Sequence, residues 1–223
     1  MLAVKPQLMS TVSLALATAS RHPGQLVLSV AAGVTLSSLQ GWFGPDTAIV
    51  RVMPNQPATI GAGVSALVAV PAVTPRDRDF AMYVAASTGQ ALWLAEESQM
   101  DAVTAVSGSG PAYFYLLMEH MERAAVDLGL PRDLAAVLTR ETALGAARVV
   151  VEGKADPAQL RAVVTSPGGT TAAALQVFEA AHLNAIVSTA LTAARDRSVE
   201  LGQAVPNQPF ANQSGSTSPP QPD

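Results

Sequence analysis

An α/β half followed by an all-helical half is the fold class this sequence predicts, and three observations carry it. Short Val-, Ile- and Leu-rich runs alternate with stretches of helical spacing up to about residue 97. The strand signal then stops. Beyond that point the apolar residues recur only at helical intervals. The 223 residues have room for one large domain or two small ones.

The first half reads in order. LAVKP, QLVLSV, AIVRVM, SALVAV and ALWLAE are apolar runs of strand length bounded by Gly or Pro, and read as buried strands. Between them, 8–20, 35–43 and 75–88 carry helical spacing, and Thr74-Pro75 is a cap followed by proline at the first helical position. Strand–helix–strand alternation predicts parallel pairing with right-handed crossovers. The strand at residues 2–4 opens the chain with no preceding unit, so one side of it has no obvious neighbour.

In the second half, Phe114, Leu117, Met118, Met121 and Ala125 fall on one helical stripe, with Glu119 and Arg123 as an i,i+4 ion pair off it. GLPRD at 129–133 stops one helix and starts the next. Helices are predicted over 132–152, 157–164 and 170–201, the last divided near His182–Asn184. The stretch 203–223 holds five prolines, three serines and one charged residue, with Phe210 as its one aromatic side chain. It cannot repay its ordering entropy and reads as a disordered tail, or as a proline-rich ligand for a partner domain.

Composition narrows the function classes. Hydrophobic residues make up 49% and charged residues 13% of the chain, enough for a real core. A net charge of −4 argues against a nucleic-acid backbone as partner. There is no cysteine, which removes disulfides, thiolate-bound zinc and thiol nucleophiles. Runs such as Leu26–Val30 and Ala66–Val73 are far below the roughly 18–20 residues that span a bilayer, and no signal-peptide pattern opens the sequence. A cytoplasmic protein acting on small molecules, without membrane or nucleic acid, is expected. His22, His120 and His182 have no metal-ligand spacing, so no metal is expected either.

Five motifs carry candidate chemistry. In VTSPGGTT, 164–171, Pro167 stops a helix, Gly168-Gly169 permits positive φ or close approach, and Thr170 and Thr171 open a long apolar helix. The free amides of such a helix start suit a carboxylate. On its own, the motif reads first as a helix connection with a threonine cap. SGSGPAY, 107–113, also leads into a helix, and serves either ligand approach or a tight helix crossing. AVKPQ and SVAAG end strands at the carboxyl edge, where open α/β sheets bind ligands. The small residues Ala31, Ala32 and Gly33 would leave room for a flat ring; plain strand ends are the alternative. MPNQP, 53–57, is a stiff loop suited to a site wall, whereas Glu96-Glu97 reads by default as a solvated acidic turn.

Taken in order, AVKPQ, SVAAG, VRVMPNQPA, DAVTAVSGSGPAY, GLPR, ETALGAA and VTSPGGTT resemble the pyrroline-5-carboxylate reductases, over about residues 1–202. The resemblance implies a Rossmann-type NAD(P)-binding domain over 1–98, a helical dimerisation and substrate domain over 99–202, and a homodimer or larger homo-oligomer. It implies reduction of 1-pyrroline-5-carboxylate to L-proline, the last step of proline biosynthesis, with NADPH or NADH. It places the cofactor against Ala3, Val4, Lys5, Pro6, Val30, Ala31 and Ala32. Substrate would meet Glu97, Ser166, Gly169, Thr170 and Thr171, with Ser107–Gly110 near it. Thr171 is the implied catalytic residue, its hydroxyl on the ring nitrogen.

Three departures stand against the family pattern. The Gly-rich first turn and the two strands after it precede the point matched by AVKP, so the resemblance implies a truncated, partial Rossmann domain and little NADPH turnover. A non-catalytic dimerisation and substrate-binding remnant is the alternative reading. Gln56 stands where the family usually has Thr, and AAHLN at 180–184 replaces a glycine-containing turn, which predicts strain at His182 or a helix that runs on.

Overall fold

The strand runs assemble into one four-stranded sheet of order β1-β2-β3-β4, formed by Leu26–Ser29, Ala48–Met53, Gly63–Ala69 and Gly89–Trp93. The computed structural model describes residues 1–19, 22, 24–153 and 155–203; the expected tail, after Gln203, lies outside them. Helix α1, Met9–Ala19, precedes β1, and α2, Leu36–Phe43, links β1 to β2. Helix α3, Pro75–Ala86, links β3 to β4. Both linked pairs are parallel, as strand–helix–strand alternation requires.

β2 and β3 depart from the parallel expectation: they are antiparallel. The reason is the connection. Residues 54–62 hold a 3₁₀ turn at Gln56–Ile60 and no α-helix, too short for a parallel crossover of a dozen or more residues. The sheet is therefore mixed.

LAVKP forms less strand than its composition predicts. Leu2 makes a single parallel bridge to Ser29, after which Lys5 caps a 3₁₀ turn at Pro6–Leu8. Pro6 has no amide for a ladder, so the strand ends there. Thr74 behaves as read: it forms a capping box with Asp77 at the start of α3. Met9, Leu39, Trp42, Ile49, Val50, Leu67 and Met100 are fully buried in the core under the sheet.

The remaining helices are α4 at Met100–Val103, a π-helical turn at Thr104–Gly108, α5 at Gly110–Asp127 and α6 at Arg132–Gly153. Then come α7 at Pro157–Val163, α8 at Thr170–Ala180 and α9 at Leu183–Gln203. The predicted break before α9 is real, and its strain is visible: His182 has φ 53°, a left-handed conformation disfavoured without glycine. Glu119 and Arg123 form the expected i,i+4 pair at 3.0 Å.

The chain divides into two compact units. The first comprises Met1–Thr104 and the C-terminal stretch from Arg195; the second is Ala105–Ala194. In the first, the sheet and its helices bury a continuous core. Among the described residues, the second unit buries only Ala105 and Ala135 as apolar side chains, while Phe114, Leu117, Met121, Leu134 and Leu138 are exposed. Helix α6 is tied to α5 by Arg140 Nε donating to Glu122 at 2.8 Å. That hydrogen bond, and then the carboxylate charge, hold the Arg140 guanidinium above its ordinary pKa. Among the described residues, no single helix is long and apolar enough to cross a membrane.

Candidate functional site

In the first unit, two segments emerge side by side at the β1 edge. Leu2 N donates to Leu28 O at 2.7 Å, and Val30 N donates to Leu2 O at 3.1 Å. This parallel bridge sends Ala3–Pro6 and Val30–Ala32 off the same end of neighbouring strands. Ala3, Lys5 and Ala32 are exposed; Val4, Pro6 and Val30 are half-buried and Ala31 is buried. Val34 N closes a turn on Ala31 O, with Gly33 at φ 75° in the position that favours glycine. The short side chains of Ala3, Ala31 and Ala32 leave little standing above the backbone along this ledge.

Two further elements fix that ledge from behind. Thr35 caps α2 through its hydroxyl, which accepts from Ser38 N at 3.1 Å. At the C-terminal end of α9, Gly202 lies so close to Gly33 that a Cβ on residue 202 would stand 3.1 Å from the Gly33 carbonyl oxygen. Ser198 on the same helix donates to Asp101 Oδ1 at 2.6 Å.

Glu97 is not a solvated turn residue. Its Oε1 accepts from Arg51 Nη1 at 2.8 Å and from Leu36 N, the first amide of α2, also at 2.8 Å. Arg51 sits inside the sheet, between Ser29 of β1 and Val68 of β3, and is only 3% exposed. Sequence reading missed Arg51, although a lone cation in the apolar run AIVRVM is a visible signal: a buried charge needs a partner. Gly202 offered no comparable signal. Asn55 of MPNQP turns inward, its Oδ1 accepting from Val64 N at 2.9 Å, so this loop is pinned at the start of β3.

In the second unit, SPGGTT takes a defined shape. Gly169 N donates to Ser166 O at 3.0 Å, with Pro167 and Gly168 at the corners and Gly168 at φ 73°. That is the residue pattern of a type II turn. Gly169 then caps α8 without any side chain. The threonine-cap alternative therefore does not occur here. Among the described residues Thr170 and Thr171 make no side-chain hydrogen bond, and Ala173 is the first amide to bond back, to Gly169 O. The amides of residues 170–172 are left at the positive end of the helix with two unused hydroxyls beside them. Such a group can hold a carboxylate and hydrogen-bond a neighbouring polar atom.

SGSGPAY enters α5 through the π-helical turn, which Tyr113 fastens by donating from Oη to Ala105 O at 3.1 Å. Turns of this kind recur at functional sites. Among the described residues no cluster of three His, Cys, Asp or Glu side chains could hold a metal ion.

A family model for pyrroline-5-carboxylate reductase dimerisation matches residues 97–201. The pyrroline-5-carboxylate reductase of Pseudomonas aeruginosa is 49% identical over 202 residues, 91% of this chain and 74% of the relative. Among solved structures, that of the Coxiella burnetii pyrroline-5-carboxylate reductase superposes with a TM-score of 0.84 at 41% identity, covering 89% of this chain and 74% of that one. The pyrroline carboxylate reductase of Plasmodium falciparum, determined with NADP bound, gives a TM-score of 0.83 at 32% identity, over 90% and 78% of the two chains.

Proposed function

The chain belongs to the pyrroline-5-carboxylate reductase family, and from that premise we propose that it reduces 1-pyrroline-5-carboxylate to L-proline in the cytoplasm, with NADPH or NADH. The observation that carries the reading is the start of α8. Its unused amides and hydroxyls are what a small ring bearing a carboxylate beside a nitrogen requires.

Each residue's part follows from its chemistry. The turn from Ser166 to Gly169 aims the α8 amides outward, and those of Thr170 and Thr171 hold the substrate carboxylate. The Thr171 hydroxyl hydrogen-bonds the ring nitrogen, which favours attack at the adjacent carbon because charge developing on nitrogen is stabilised there. When bound, the nicotinamide cofactor supplies the hydride. Ala3, Val4, Lys5 and Pro6 on one side and Val30, Ala31 and Ala32 on the other form the ledge that receives its ring. The shortness of Ala3, Ala31 and Ala32 matters here, since a larger side chain would fill the space. The protein mainly orients and polarises.

The helical segment, 99–202, serves as the dimerisation domain of a homodimer or larger homo-oligomer. A unit that buries so few apolar side chains of its own needs a second surface over Phe114, Leu117 and Met121. The test is direct. The purified chain is mixed with NADPH and 1-pyrroline-5-carboxylate, NADPH loss is followed by absorbance, and proline is identified by chromatography. Proline formed in step with NADPH loss supports the proposal; no NADPH loss, or NADPH loss without proline, overturns it.

A further inference from the structure

We propose that Glu97 serves this reaction as a positioning residue, clamping the cofactor ledge through Leu36, and that buried Arg51 is its anchor. The inference rests on the reading above and changes the part expected of Glu97, which the family resemblance sets among the substrate contacts.

The same oxygen, Oε1, takes both bonds: Arg51 Nη1 from the middle of β2 and the Leu36 amide from the first turn of α2, each at 2.8 Å. Three separate parts of the chain therefore meet at one atom. Leu36 immediately follows the 30–35 stretch that carries Val30, Ala31 and Ala32. That stretch leaves β1 through a turn whose left-handed Gly33 packs against Gly202, and each of its two ends is held by hydrogen bonds. One end is the Leu2–Ser29 bridge; the other is the α2 start.

Thr35 already caps that helix through the Ser38 amide. Glu97 adds a second acceptor, on Leu36, and a carboxylate at a helix N-terminus is favoured by the helix dipole. The guanidinium behind it fixes where the acceptor stands. Arg51 and Glu97 are unequal in exposure, with side chains 4% and 28% exposed. The arginine is the buried, immobile member, and the glutamate is the arm held by it. A carboxylate with one oxygen bound twice is poorly placed to follow a substrate, and well placed to hold a loop.

Glu97→Gln and Glu97→Ala separate the two bonds. Glutamine keeps an acceptor for Leu36 and gives up the charge facing Arg51; alanine gives up both. Hydrogen exchange at the Leu36 amide, read by NMR on the full chain without cofactor, should quicken at least tenfold in Glu97→Ala and no more than about threefold in Glu97→Gln. Unchanged Leu36 exchange in Glu97→Ala overturns the clamp, whether or not the chain turns over the imine. In steady-state assays the cofactor KM should rise about tenfold in Glu97→Ala while the imine KM stays within twofold. A rise in imine KM or proline Kd with the cofactor KM unchanged would return Glu97 to the substrate and overturn the proposal. Should Glu97→Ala fail to fold, Glu97→Gln decides by the imine KM: a value within twofold of wild type supports the clamp, and a rise with the cofactor KM unchanged overturns it. Absence of turnover in the wild type would bear on the reductase reading alone, because Leu36 exchange reports the clamp by itself.

Discussion

Replacing Thr171 by alanine tests the α8 site without disturbing the fold. The Thr171 hydroxyl makes no hydrogen bond within the described chain, and α8 is capped by Gly169 without side-chain help. Removing it therefore costs the fold no hydrogen bond. Alanine has the better helix propensity, by less than about 0.7 kcal/mol. The unfolding midpoint should stay level or rise slightly. Binding should behave differently. In the proposed site the ring nitrogen of L-proline, a cation at neutral pH, would donate to the Thr171 oxygen, a charge-assisted bond whose loss would cost about 1.5–3 kcal/mol. At 1.4 kcal/mol per decade that is roughly a 10- to 150-fold weaker Kd. Calorimetry with L-proline on wild type, Thr171→Ala and Thr171→Ser measures it, and serine should stay within about threefold of wild type by retaining the hydroxyl. Equal affinity in wild type and Thr171→Ala would refute the assigned role. So would a serine variant as weak as the alanine one, since the methyl rather than the hydroxyl would then matter.

Other outcomes follow from particular residues. Light scattering after size exclusion should give at least twice 22.9 kDa, and a clean monomer at micromolar concentration would contradict the need for a second surface over Phe114 and Met121. Trp42→Ala should destabilise by about 3–5 kcal/mol in urea titration. Trp42→Phe should cost markedly less, because among the described residues the buried indole Nε1 has no partner to lose; equal costs would show that the indole nitrogen, rather than the aromatic packing, carries the stability. Gly89→Ala should cost about 3 kcal/mol or more, lowering Tm by roughly 6–12 °C, because its Cβ would meet the Gly63 carbonyl oxygen where β4 pairs with β3; an unchanged melt would show that the backbone there shifts freely. His182→Gly should stabilise by about 0.5–1 kcal/mol by relieving the left-handed backbone between α8 and α9, and any loss would mean that the imidazole has a packing role.

Local rules made much of this protein legible in its sequence. Val/Ile/Leu runs bounded by Gly or Pro become β1 to β4, Thr74-Pro75 opens α3, and Gly129 ends α5 at φ 98°, because short-range sterics and capping decide these. The break at His182 and the sharp SPGG turn are equally local. The ordered motifs were enough to name the family, since each answers to a backbone or ligand requirement within a few residues.

What the tertiary structure alone decided is how distant residues meet. The antiparallel β2–β3 pair depends on a connection whose 3₁₀ turn folds back too early for a crossover. Leu2 looked like a strand and became a single bridge, because Pro6 ends the ladder that its neighbours would extend. Glu97 read as a solvated acid and is instead bonded across 46 and 61 residues of chain, to Arg51 and to the Leu36 amide. The packing of Gly202 against Gly33 likewise joins helix α9 to the turn after β1. Propensity and periodicity act over one or two turns, whereas the burial of a charge and the approach of two glycines depend on what the fold carries to the same place.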